Sequence, residues 1–181
     1  MKDHIKRFIE DPSQENFLQL RAVIISSPAY SPYSTDYNET TGQLMAQEQY
    51  NEVVDYLMSL MDNWFLNPGI HIMLAFVQHK SGRENEARFE HSIATHIFNG
   101  ILSTGDGSEA NPYLVLRTAD EYDLMIHLGK KSTQQALITK GEKHFDRHDC
   151  MDGSELWFDV TTQLEHMKRN FRNHQESGNT S

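Results

Sequence analysis

Apolar residues recur at helical spacing as far as Leu102 and in short runs after Asn111, and the change falls on the turn Thr104-Gly105-Asp106-Gly107-Ser108. A chain that segregates its helices from its strands in this way cannot wind a doubly wound parallel sheet. It predicts an α+β fold, with N-terminal antiparallel helical hairpins packed against a small C-terminal antiparallel sheet and a closing helix. The expected organisation is a helical part over 1–103, a sheet with helices over 104–171, and a flexible tail over 172–181. At 181 residues these parts fit one compact domain.

Ile5, Phe8 and Ile9 mark a first short helix, and Phe17, Leu20 and Ile24 a second over 14–25. The two prolines of Ser27-Pro28-Ala29-Tyr30-Ser31-Pro32-Tyr33 force a loop. Further helices are expected over 39–48, 49–61, 70–79 and 84–102, with Asn67-Pro68-Gly69 and Ser81-Gly82 as breaks. Tyr113 to Arg117 predicts a strand. Thr118 and Glu121 have the spacing of a capping box for a helix over 119–128. Strands follow over 135–139, 144–150 and 156–160, the last two joined by an Asp152-Gly153 turn. A closing helix spans 161–171.

The chain carries 26 acidic side chains against 16 Lys and Arg, a net charge of −10. This opposes nucleic acid or an anionic membrane as a partner, since both require clustered cations. Cys150 is the sole cysteine, so an internal disulfide and a multi-thiolate zinc site are excluded. The N-terminal residues lack the apolar run of a signal peptide, and the longest apolar stretch, Ile70 to Val77, is too short to span a bilayer. A cytoplasmic location is expected.

Ala75, Gly82, Ala87 and Ala94 set small residues along two consecutive helices. This spacing resembles that of a tetratricopeptide hairpin. On a wider scale, Gly100 to Gly107, Pro112 to Leu116, Glu121-Tyr122, the Ser27 to Tyr33 segment, Phe145-Asp146 and Trp157-Phe158-Asp159 together resemble an uncharacterised bacterial family of unknown function. The resemblance covers about 17–171. Its motifs are turn and core residues, so it implies a fold and supplies no activity.

Little in the sequence carries chemistry. The Gly105-Asp106-Gly107 turn lacks the Lys and Ser or Thr of a Walker loop and the spacing of a dinucleotide frame. It reads as a tight turn with positive φ at its glycines. A calcium loop starting at Asp106 would need a glutamate where Arg117 stands. His144, Asp146 and His148 share one face of a strand and form the candidate metal-ligating set. His71 and His79 read as rim residues of the helical packing, and Cys150 as an inert thiol.

These features favour a non-enzymatic protein-interaction module, with immunity or adaptor roles toward a basic protein among the possibilities. Tyr30, Tyr33, Tyr37 and Trp64 are the candidate binding aromatics, and no cofactor is expected. The alternative is a metal-dependent enzyme built on His144, Asp146 and His148.

Overall fold

The computed structural model describes residues 1–34 and 36–178. Its first part is helical: α1 (Lys2–Glu10), α2 (Gln14–Ser26), α3 (Asp36–Ala46), α4 (Tyr50–Ser59), α5 (Met61–Trp64), α6 (Pro68–Lys80) and α7 (Glu84–Leu102). Then follow β1 (Tyr113–Leu114), α8 (Thr118–His127), β2 (Ser132–Lys140), β3 (Lys143–Cys150), β4 (Glu155–Asp159) and α9 (Thr161–Gly178). The fold is α+β, as expected. The closing helix α9 runs past Phe171 to Gly178, into the segment expected to be a flexible tail, and the last three residues of that segment lie outside the described residues.

Local chemistry explains most boundaries. Ser13 caps α2 by accepting from Asn16 N, and Asn67 caps α6 by accepting from Ile70 N, with Pro68 in the first turn. The α6–α7 connection turns at Gly82, whose φ is 74°. No helix among the described residues is long and apolar enough to cross a membrane.

The sheet order is β1-β4-β3-β2. β2, β3 and β4 form the expected antiparallel meander, while β1 joins β4 in parallel. The sheet is therefore mixed, where an antiparallel one was expected. β1 is also shorter than the Tyr113 to Arg117 run suggests. Leu116 N and Arg117 N both donate to Asp120 Oδ2, at 3.0 and 2.9 Å. Val115 O accepts from Arg21 Nη2 and Gln163 Nε2. Side chains have taken the backbone groups that a longer ladder would use.

The glycine turn before β1 is tight for two different reasons. Gly107 has the expected positive φ of 75°. Gly105 does not. It is glycine because a Cβ there would lie 2.5 Å from the carbonyl oxygens of Asn111 and Pro112.

Two apolar clusters fill the interior. The larger joins Phe8, Phe17, Leu20, Ile97, Leu124, Phe158 and their neighbours, so it ties α1, α2, α7 and α8 to the sheet. The smaller, with Val53, Leu57, Trp64, Ile70, Leu74 and Val77, lies between α4, α5 and α6.

Candidate functional site

The start of α8 decides where most of the buried polar chemistry sits. The expected capping box is displaced by one residue: Arg117 occupies the cap position, and Asp120, rather than Glu121, accepts from its backbone N–H. Successive residues on a helix point about 100° apart, so Glu121 is turned toward His148 while Asp120 and Asp123, three apart, both reach Asn67.

Glu121 turns under the sheet. Its Oε2 lies 2.9 Å from His148 Nε2, and His148 Nδ1 lies 3.0 Å from Ser132 Oγ. Glu121 and His148 are both 0% exposed. Burial pushes the Glu121 carboxyl up to about 9, helped by the charges of Asp146 and Asp120 and by a hydrogen bond with Asp146. Burial also lowers the His148 imidazole below its ordinary value. At neutral pH the glutamic acid keeps its proton and the histidine is neutral. One assignment of protons fits both His148 contacts, while Glu121 Oε1 stays buried without a hydrogen-bond partner. Ser132 donates to Nδ1, and Nε2–H donates to Glu121 Oε2. The order serine, histidine, carboxyl resembles that of a hydrolytic triad, but a protonated carboxyl gives an imidazolium no counter-charge. The arrangement does not activate Ser132.

Asp146 is half-buried, and Gln135 Nε2 donates to it at 2.9 Å. Gln135 is itself held by the Tyr122 hydroxyl at 2.7 Å. Burial raises the Asp146 carboxyl, while the bonds from Gln135 and Glu121 act against that rise.

Asp120 faces the helical part. It accepts from Asn67 Nδ2 at 2.8 Å and lies close enough to Arg117 for that charge to oppose the rise caused by its burial. The Arg117 guanidinium is enclosed: its Nη2 donates to Asn63 O and Oδ1, and its plane lies 4.2 Å from the Trp64 ring centroid. Arg117 thus bridges the two apolar clusters as a cation stacked on an aromatic face.

Asp123 lies at the start of α6, accepting from Asn67 Nδ2 and Gly69 N. Burial, then the charge of Asp120, raise it to about 6. It sits in a groove of about 590 Å³ between α3, α6, α7 and α8, otherwise lined mainly by Met45, Ile72, Met73, Phe76, Phe98 and Ile126. Ile126 is 76% exposed, and Ile72 and Phe76 are exposed as well. His127 stacks on Phe98 with ring centroids 4.1 Å apart.

The sequence-predicted residues have several fates. His144, Asp146 and His148 do share a face of β3, but their partners differ. His144 bonds to Thr139 and Lys168, and His148 spends both nitrogens on Ser132 and Glu121. Among the described residues no three His, Cys, Asp or Glu side chains are grouped to hold a metal ion. Tyr30 and Trp64, expected as surface aromatics, are only 2% and 4% exposed. The Tyr30 hydroxyl donates to Leu116 O at 2.7 Å and pins the proline loop to the body of the fold. Tyr37 is half-buried with its ring against Trp64, and Tyr33 alone of the four is exposed. His71 is not a rim residue. It is buried between Glu90 Oε2, at 2.6 Å, and Phe65 O, at 2.7 Å.

Sequence reasoning missed Arg117, Asp120, Glu121 and Asp123. Three carboxylates at the start of a helix read as ordinary complements to its dipole. The available signal was their number beside an arginine, in the run Arg117-Thr118-Ala119-Asp120-Glu121-Tyr122-Asp123.

Among known protein families, residues 13–169 match one described as a domain of unknown function, DUF4919. The chain belongs to that family. No curated protein and no solved structure matches it.

Proposed function

We propose that this member of the DUF4919 family is a protein-binding module, and that it grips an amphipathic basic segment of its partner in the groove between α3, α6, α7 and α8. The observation that carries the reading is the large apolar surface left in water there, with Ile72, Phe76 and Ile126 exposed around a concave floor. Exposed apolar side chains gathered around a groove, rather than scattered, mark an interaction surface. The groove has the form that receives the apolar face of a helix, and Met45 and Met73 let it adapt to the occupant.

Charge supports a basic occupant. Apart from His127, Asp123 is the one ionisable acid or base other than tyrosine lining the groove among the described residues, and above about pH 6 it is ionised. The surrounding chain carries a net −10, which steers cationic partners and speeds their capture. The α6–α7 pair that forms one wall has the small-residue spacing of a tetratricopeptide hairpin, a unit suited to holding peptides. Neutralising a basic toxin is one role of this kind, and acting as an adaptor is another.

A photo-crosslinking residue placed at Ile126, in the cells that make the protein, tests the reading. Met151, exposed in the β3–β4 turn, is the control position. A discrete adduct with a basic protein at 126, absent at 151 and lost on Phe76→Asp, is the expected result. No adduct, equal adducts at both positions, or an adduct of twice the chain's own mass would overturn it.

A further inference from the structure

We propose that a second cavity, between β2, β3, the start of α8 and α9, binds a small organic cation, an alkylammonium or amidinium with a short apolar body, through Asp146. The cavity holds about 310 Å³, at the lower end of the size of small-molecule sites. It shares no lining residue with the groove described above, so the two proposals stand or fall separately.

The chemistry of the lining selects the ligand class. Leu164 and Met167 contribute apolar walls from α9, while Asp146, Gln135, Gln163 and Tyr33 contribute polar groups. A carboxylate and an unpaired amide oxygen stand among them. The Gln135 amide gives one N–H to Asp146. Gln163 is buried, uses Nε2 on Val115 O, and leaves its Oε1 without a partner. A buried acceptor left unpaired is costly, and a ligand bearing N–H groups would relieve that cost.

Among the described residues nothing supplies the cation. No Lys or Arg lines the cavity, and Asp146 forms no ion pair among the described residues. Among the described residues, each element packed near Asp146 presents its own groups. From α8 comes Glu121, whose carboxyl the charge of Asp146 helps to push up; from β2 comes Gln135; and on β3 itself His148 is turned to Glu121 and Ser132. On α9, Lys168 lies 3.0 Å from His144 Nε2, lining a different depression together with Arg169. An anionic ligand would meet an unscreened carboxylate, and a purely apolar one would strip water from it without compensation. A cation with a short alkyl tail satisfies both the floor and the walls.

Calorimetric titration of the purified chain with butylammonium, butanol and butyrate, three ligands of similar size, tests the inference. Butylammonium is expected to bind at least about tenfold more tightly than either of the others. Asp146→Asn should bring it down to the level of butanol, with the near-UV spectrum unchanged. Should that variant fail to fold, Met167→Trp, which fills the cavity from its apolar wall, should abolish binding while leaving Asp146 in place. Equal binding of all three ligands, preference for butyrate, no binding of butylammonium at 10 mM (about −2.7 kcal/mol), or binding unaffected by the variant that folds would overturn it.

Discussion

His148 Nε2 lies 2.9 Å from Glu121 Oε2, and neither side chain meets solvent. A buried histidine paired with a buried glutamic acid would ordinarily suggest an ion pair. Here burial holds the acid's proton up to about pH 9 and lowers the histidine's affinity for one, so the contact is a neutral hydrogen bond within a four-residue chain.

That state has a pH signature. The folded-state pKa of Glu121 is raised above the ordinary glutamate value of 4.5, so between those values the folded chain holds a proton that the unfolded chain has lost. Stability then falls as pH rises through this window, by up to about 1.4 kcal/mol per unit. His148, with its pKa lowered, works in the opposite sense, but only below about 6.5. Asp123, raised to about 6, is about nine-tenths ionised by pH 7 and adds little to the slope above it. Between pH 7 and 9, urea denaturation should show the wild type losing stability and Glu121→Gln losing little. Parallel curves for the two proteins would mean that Glu121 is already ionised.

Arg117 is enclosed, stacked on Trp64 and bonded to Asn63. Arg117→Ala should cost about 3–5 kcal/mol, because Asp120 loses its compensating charge and Trp64 its packing. Arg117→Lys should recover little, since an ammonium neither stacks nor forks. Combining Arg117→Met with Asp120→Asn should recover more than lysine does. Denaturant midpoints measure all three, and an alanine variant within about 1 kcal/mol of wild type would refute the account.

The two glycine turns separate steric from conformational demand. Gly105→Ala drives a methyl group into two backbone carbonyls and should cost about 3 kcal/mol or more. Gly82→Ala meets open space and only the strain of a positive φ, about 1 kcal/mol. Equal losses in thermal unfolding would show that close approach is not what selects Gly105.

On α8 the two faces should respond oppositely. Ile126→Asp, at a position 76% exposed, should leave unfolding free energy within about 0.5 kcal/mol of wild type. Leu124→Ala, in the larger apolar cluster, should cost about 2–5 kcal/mol. A large loss at Ile126 would mean that it supports the fold, and the groove would lose its most exposed side chain as a recognition element.

Much of the architecture was legible in the sequence. The predicted helix over 84–102 is α7 to the residue, and the Asp152-Gly153 turn does join β3 to β4. These features depend on apolar period and turn chemistry, which act over a few residues. The candidate site was less legible. Arg117, Glu121 and His71 are polar residues that sequence reasoning leaves at a strand end, in a helix cap and at a rim, and the structure buries all three.

The sequence by itself determined the order and kind of most elements, the division near Ser103 and the acidic balance, because each is a local or summed property of the chain. Tertiary structure alone decided that β1 pairs in parallel with β4, that α8 is capped one residue early, and which side chains become chemistry. A large polar side chain goes inside where at least one of its atoms meets a partner. Glu121 finds His148 27 residues away and Arg117 finds Asn63 54 residues away, distances across which no local pattern in a sequence reports.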